Sequence, residues 1–302
     1  MPTRRHDSAV QDFVDFSRRD GLEGLEIMRA RWVKQSFPVH AHDFYNIALN
    51  YRGGGAFVCR GAQRDALPGT CNLMAPGELH TGQVKSEDGW VYRSLHISPQ
   101  LFGSMLQAID FPGPLPGRFK SPLSNDTVLA QRLVRTFESF EHESSLLGQE
   151  SLLFSVVERL LSDHIERARV SADERSEPMA IRRVREWLDE HPAENVSSRM
   201  LADLVGLSPW YLVRAFKRYQ GVPPHRYQTM VRVNKARTLL LAGGRLAEVA
   251  ALTGFFDQSH LNRCFKSVLG TSPGRYLSGS PASIQRDRAT SSKTVVLRRA
   301  SV

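Results

Sequence analysis

Residues 212–227 and 261–276 are two copies of one segment, and any fold for this chain has to treat both alike. At an offset of 49 positions eight of sixteen residues are identical: Leu212/Leu261, Arg214/Arg263, Phe216/Phe265, Lys217/Lys266, Gly221/Gly270, Pro224/Pro273, Arg226/Arg275 and Tyr227/Tyr276. The first copy reads as a short helix over 198–205, a turn at Gly206 and Leu207, and a second helix that Ser208 caps and Pro209 opens. The second repeats the plan over 245–252, turns through Thr253, Gly254, Phe255 and Phe256, and restarts at Asp257 as its cap, with a turn one residue longer.

Each second helix has two faces. Leu212, Ala215, Phe216 and Tyr219 recur at helical spacing and point inward, as do Leu261, Cys264, Phe265 and Val268. The outward stripes hold Trp210, Val213, Arg214 and Lys217 in one copy, and Ser259, Asn262, Arg263 and Lys266 in the other, with Gln258 and His260 beside the latter. The major groove of B-DNA admits one helix, and Arg reads guanine there, Asn or Gln reads adenine, and apolar groups meet the thymine methyl. Arg214 and Arg263 are therefore the base-reading candidates, Gln258 and Asn262 suit adenine, and Lys217 and Lys266 suit phosphates. A solvated basic face is the bland alternative for one such helix, but duplication in phase argues against it twice over.

Between the copies, residues 226–241 contain no helix breaker, and sixteen helical residues span about 24 Å. With the width of two packed units, such a rod can place two recognition helices about 34 Å apart, one turn of DNA. Over residues 179–276 this pattern resembles the DNA-binding domain of the AraC/XylS family of transcriptional regulators. The resemblance rests on Leu201-Ala202 before Gly206-Leu207-Ser208, Leu212-x-Arg214-x-Phe216-Lys217, Gly254-Phe255, and Leu261-x-Arg263-x-Phe265-Lys266 through Gly270, Pro273 and Tyr276. It implies base contacts at Trp210, Arg214 and the outward face of the second helix. Val213 departs from the polar residue common at its position, which leaves hydrogen-bonded readout in the first copy to Arg214.

Charge is divided in the same sense. Residues 181–302 carry 20 Lys and Arg against 8 Asp and Glu, net +12, while the rest of the chain is net −3. The polyanion-binding footprint thus belongs to the C-terminal half. Cys59, Cys71 and Cys264 show neither metal-ligand spacing nor an even count, so reduced thiols and a cytoplasmic location are expected. The polar start and the absence of any long apolar run argue against a signal peptide or a membrane span.

Residues 24–97 have another texture. Short apolar segments at 44–51, 56–60, 71–75 and 90–97 are separated by Gly53-Gly54-Gly55, Pro68-Gly69 and Pro76-Gly77, which predicts a sandwich or small barrel. In the last segment Trp90, Tyr92, Ser94 and His96 share one face, and Val91, Arg93, Leu95 and Ile97 the other. Pro38-x-His40-x-His42 with Pro76-Gly77-Glu78-x-His80 resembles the two motifs of the cupin barrel as used in AraC-type effector domains. Metal-dependent cupins add a glutamate where this chain has Asn46, so the reading assigns no metal and no cofactor. Backbone hydrogen bonding, polar effector contacts and a three-imidazole metal site all remain open for the histidines. The candidate effector contacts are His40, His42, Tyr45, Asn46, His80, Trp90 and Tyr92, each with core packing as its bland alternative.

Helical patterns follow at 99–109, 126–141 and 150–169, the last with a stripe of Leu152, Leu153, Val156, Val157, Leu160 and Leu161 that covers the barrel or a second subunit. The expected chain is multidomain α+β: a cupin-like β-barrel effector domain over 1–110, a helical dimerisation segment over 111–169, a linker over 170–178, an all-α domain with two helix-turn-helix motifs over 179–278, and a disordered tail over 279–302. The resulting function is a homodimeric, ligand-responsive regulator, not an enzyme. Its expected partners are double-stranded DNA, RNA polymerase and a small-molecule effector, with no membrane. Two rivals are a cupin metalloenzyme fused to a DNA-binding module and an effector-independent DNA-binding protein.

Overall fold

A computed structural model describes residues 11–109, 111, 116–141, 145–165 and 177–278. The expected linker, apart from Glu177 and Pro178, and the expected tail lie outside these residues.

Two antiparallel sheets face each other in the N-terminal half. One contains β1 (Phe13–Ser17), β2 (Leu25–Trp32), β4 (Tyr45–Gly53), β7 (Cys71–Met74), β9 (Trp90–Ile97) and β10 (Leu123–Ser124), in the order β1-β2-β9-β4-β7-β10. The other contains β3 (Ser36–His40), β5 (Gly55–Cys59), β6 (Ala62–Ala66) and β8 (His80–Val84), in the order β3-β8-β5-β6. The strand β10 belongs to the stretch expected to be helical, so the barrel draws on residues beyond 110.

Both faces of the larger sheet are buried, and side-chain parity decides which core each residue joins. Ile27, Tyr45, Ile47, Leu49, Leu95 and Ile97 point outward against α1 (Pro99–Ala108), α2 (Thr127–Glu141) and α3 (Leu146–Arg159). There Leu153, Val156, Val157 and Leu160 of the predicted stripe are buried, so that stripe covers the barrel. The helix starts earlier than expected, at Leu146, and a π-helical turn over Leu160–His164 ends it; residues 166–169 of the prediction lie outside those described. Met28, Trp32, Ala48, Met74 and Tyr92 point the other way, into the space between the sheets.

The C-terminal domain is all helix: α4 (Met179–Glu190), α5 (Ser198–Asp203), α6 (Pro209–Gln220), α7 (Pro224–Leu241), α8 (Leu246–Leu252), α9 (Gln258–Leu269) and α10 (Pro273–Leu277). The helices α6 and α9 keep the 49-residue offset at both ends. Ser208 accepts from the Tyr211 amide and Asp257 from the His260 amide, the two caps expected. Both connections between paired helices are five residues long, but the left-handed glycine stands two residues before the cap in the first copy (Gly206) and three before it in the second (Gly254). The extra residue after the glycine is Phe256, 92% exposed.

The apolar cores show how the domains join. Ile181, Val184 and Leu188 of α4 close the first helix-turn-helix unit together with Leu201, Leu212 and Phe216. In the second unit Val249, Leu261, Phe265 and Val268 share one continuous core with Phe16, Trp32, Phe37 and Phe57 of the barrel.

Candidate functional site

Eight of the nine predicted DNA-contacting side chains are exposed on α6 and α9: Trp210, Arg214, Lys217, Gln258, Ser259, Asn262, Arg263 and Lys266; Val213 is half-buried beside them. Because one turn of helix separates them, the Arg214 guanidinium lies over the Trp210 ring, 4.4 Å from its centroid, which holds the arginine on the outward face. In the second copy Ser259 stands at the place of Trp210, and Asn262 at that of Val213, so the outward stripe carries more hydrogen-bonding groups there. The two stripes supply donors, acceptors and cations in the combination that base edges and phosphates require.

The second site lies between the sheets. A cavity of about 70 Å³ is lined by His40, His42, Asn46, His80, Trp90 and Tyr92, six of the seven side chains expected there. Tyr45 is the correction. Adjacent residues on a strand face opposite ways, so Asn46 can look inward only if Tyr45 looks outward. Tyr45 accordingly stacks on Phe102 with 4.3 Å between ring centroids, and its hydroxyl donates to the Pro116 carbonyl at 2.8 Å.

The polar tips of two lining aromatics are already engaged: Trp90 Nε1 donates to Asn50 Oδ1 at 2.9 Å, and Trp32 Nε1 donates to Tyr92 Oη at 3.0 Å. Asn46 Oδ1 and His42 Nε2 are buried without a hydrogen-bond partner. Burial pushes the imidazoles of His40, His42 and His80 below the ordinary histidine value, and that of His96 down to about 3, so all four are neutral near pH 7.

Sequence reasoning missed three parts of this site. His96 lines the cavity, and its parity with Trp90 and Tyr92 was the available signal. The roof is Val268 and Leu269, the last turn of α9, where the inward-facing side of that helix meets the barrel. Around that roof, Glu26 is 5% exposed and gathers two guanidinium groups and a hydroxyl from three other segments. It accepts from Arg18 Nε at 2.7 Å, from Arg237 Nη1 of α7 at 2.9 Å and from the Tyr276 hydroxyl of α10 at 2.6 Å, while Arg237 Nη2 donates to Asp43 at 3.0 Å. Burial alone would raise the Glu26 carboxyl, but Arg18 and Arg237 outweigh it and hold it below the ordinary glutamate value.

Glycine marks the closest approach. Gly221 and Gly270 end α6 and α9 with φ of 73° and 75°, a conformation that strains any residue with a Cβ. A Cβ on Gly270 would stand 2.8 Å from Phe37 and 2.9 Å from Trp32, so the end of α9 is seated directly on barrel aromatics.

Comparison with known proteins agrees with both halves. The model of the AraC-like ligand binding domain matches residues 24–157, and that of a helix-turn-helix domain matches residues 201–279. The uncharacterised HTH-type transcriptional regulator YbfI of Bacillus subtilis strain 168 is 30% identical over 238 residues, covering 78% of this chain and 86% of the relative. The HTH-type transcriptional activator RhaS of Enterobacter sp. strain 638 is 28% identical over 263 residues, covering 84% and 92%. In fold, the chain is similar to ToxT from Vibrio cholerae O395, with a TM-score of 0.51 at 15% identity over 84% of this chain and 97% of that one.

Proposed function

The chain belongs to the AraC family of transcriptional regulators, with an N-terminal ligand-binding barrel and a C-terminal DNA-binding helix-turn-helix domain, and we propose that effector entry is signalled through the roof of the cavity. The observation that carries this reading is that Val268 and Leu269 belong at once to the cavity wall and to the second recognition helix. Small-molecule pockets commonly measure about 300–1,000 Å³. A cavity of about 70 Å³ admits such an effector only if a wall moves, and the roof is the wall that belongs to another domain. A helix moves as a rod, so displacement at Leu269 changes how Asn262 and Arg263 meet the groove. The effector then acts by population shift, favouring whichever arrangement it binds better.

His40, His42, Asn46, His80, Trp90 and Tyr92 are the proposed effector contacts; Trp210, Val213, Arg214, Lys217, Gln258, Ser259, Asn262, Arg263 and Lys266 are the proposed DNA contacts. The protein acts as a cytoplasmic homodimer that presents its domains to double-stranded DNA and RNA polymerase, and it regulates rather than catalyses. Among the described residues no helix is long and apolar enough to cross a membrane.

The test is a screen of small metabolites for a rise in melting temperature, followed by operator footprinting with each hit. Ala48→Leu, which fills the cavity, and Asn46→Ala, which removes its unpartnered acceptor, should abolish the response to the hit while leaving operator binding in its absence intact. A hit whose effect on the footprint survives both substitutions would place effector binding elsewhere.

A further inference from the structure

The turn of the second helix-turn-helix unit carries one aromatic ring that its own fold does not use. Leu207 and Phe255 follow the glycines of the two turns, and both pack into the core of their unit. Phe256 comes next, in the second copy alone, and is 92% exposed. The turn beneath it is fixed at three points. A Cβ on Gly254 would run into the Ala193 backbone, so the turn is seated on that segment. Phe255 meets the His260 ring edge-on with 5.2 Å between centroids, and Asp257 Oδ1 accepts from the His260 amide at 2.6 Å. The Phe256 ring is thus offered to solvent from a rigid base, one residue ahead of the α9 cap.

We propose that Phe256 reads a thymine in the second half-site, packing against its C5-methyl group in the major groove. A recognition helix meets base edges chiefly through its N-terminal residues, and Phe256 stands two residues before Gln258, the first of α9. A phenyl ring has no hydrogen bond to give or take along a base edge, and the apolar group that the major groove presents is the thymine methyl. Its surroundings on α9 are polar: Gln258, Ser259, Asn262 and Arg263 are exposed, and the Asp257 carboxylate is engaged as the cap. An aromatic anchor for a protein partner sits inside a patch that excludes water, whereas one set among amides, a hydroxyl and a guanidinium suits a base edge beside phosphates.

Phe256 also supplies what the second stripe lacks. Trp210 and Val213 are the apolar members of the first outward stripe, and Ser259 and Asn262 take their places in the second. Both readers then keep an apolar contact, one on α6 itself and the other just ahead of α9. Seven residues separate Phe256 from Arg263, so its thymine belongs to a different base pair from the one Arg263 addresses. Thymine reading by Phe256 rests on base reading by α9, which Arg263→Ala tests separately.

The experiment selects an operator from random duplex with the full-length protein and locates the half-site in which Arg263→Ala relaxes base preference. Each thymine there is then replaced by deoxyuridine, which removes the methyl group and leaves the pairing intact. The wild type is expected to bind one of these operators about fourfold more weakly, the worth of one buried methyl group. Phe256→Ala should lose at least as much on the thymine operator and nothing further on the uracil one, with an unchanged melting temperature. Phe256→Leu and Arg263→Ala should both keep the discrimination against uracil. A wild type indifferent to every replacement overturns the proposal, as does a Phe256→Ala variant that still discriminates or that weakens on random duplex as much as on the operator. Normal operator binding by Phe256→Ala with loss of transcription by RNA polymerase would place the ring on a protein and overturn it as well. If Arg263→Ala relaxes no position, α9 does not read bases and both readings fall.

Discussion

Tyr227 and Tyr276 occupy the same place in the two helix-turn-helix units, and their hydroxyls end on carboxylates in different parts of the molecule. Tyr227 donates to Asp189 of α4 at 2.8 Å, inside the helical domain. Tyr276 donates to Glu26 of the barrel at 2.6 Å, in the buried cluster with Arg18 and Arg237. The same divergence runs through the cores, since α4 closes the first unit and the two sheets close the second. Duplication therefore produced two readers with one backbone and different supports. The first rests chiefly on α4 and meets the barrel at its margin, where Gly221 faces Leu79, Val222 shares a small apolar cluster with Ala41 and Arg226 donates to the Val39 carbonyl; the second shares its core and a buried ion cluster with the barrel.

The largest expected effect comes from breaking that cluster. Glu26→Ala leaves Arg18 and Arg237 in a buried cluster without their shared carboxylate, and removing one partner of a buried ion pair costs about 3–5 kcal/mol. Chemical denaturation followed by probes in each unit should show the loss in the second unit, with the first unfolding as in the wild type. Equal losses in both units would erase the contrast.

Gly270→Ala against Gly221→Ala sharpens it. Both substitutions put a Cβ on a left-handed residue, at about 1–2 kcal/mol. At Gly221 the nearest atom is Leu79 Cδ1 at 2.5 Å, the end of a flexible side chain, whereas at Gly270 the obstacles are the rings of Phe37 and Trp32. Overpacking should add about 1–3 kcal/mol at Gly270. Thermal melts of the two variants measure the difference, and a Gly221→Ala variant as unstable as Gly270→Ala would mean that the barrel contact is soft.

On DNA the contrast is one of chemistry. Arg214→Ala and Arg263→Ala should each weaken operator binding by about 1–3 kcal/mol and relax base preference at one position, in different half-sites. Footprinting with and without an effector should show the effector moving the Arg263 half-site more than the Arg214 half-site. Losses of the same size on random duplex would reject base readout.

Acid gives the smallest effect, of opposite sign in the two units. Arg18 and Arg237 hold the Glu26 carboxyl below its ordinary value against burial, with Tyr276 and the neutral His96 also facing it. Its contribution is thus complete above the usual glutamate value, about 4.3, and is lost as pH falls through the lowered one. Burial raises Asp189 against the pull of Tyr227 and Arg185, with Glu186 and Glu190 adding to the rise. Its contribution is present below the usual aspartate value, about 3.9, and is lost as pH rises through the raised one. Protection factors, corrected for the intrinsic slowing of exchange in acid, should therefore fall in α10 between pH 5 and 3 before they fall in α4.

The helical domain was legible because its information is local. Caps at Ser208 and Asp257, the period of the apolar stripes and the Pro224 and Pro273 helix starts all lie within a few residues of what they control. The barrel was legible where strands carry apolar runs, as at Trp90–Ile97, whose bounds and face assignment agree with the structure. It was opaque at β6 (Ala-Gln-Arg-Asp-Ala) and β8 (His-Thr-Gly-Gln-Val), whose polar sequences become strands through pairing with β5. Tyr45 and Asn46 share the chemistry of effector contacts, but strand parity sends them to opposite faces of β4, so residue type alone does not place Tyr45. The Glu26 cluster joins positions 18, 26, 237 and 276, and no periodicity within either domain encodes such a contact.

Hydrogen exchange resolved by residue, on the full-length wild type and on Glu26→Ala, tests the divided support most directly. The account predicts that amides of 258–277 lose protection in Glu26→Ala while those of 179–220 keep theirs. Equal loss in both stretches, or none in either, would contradict it.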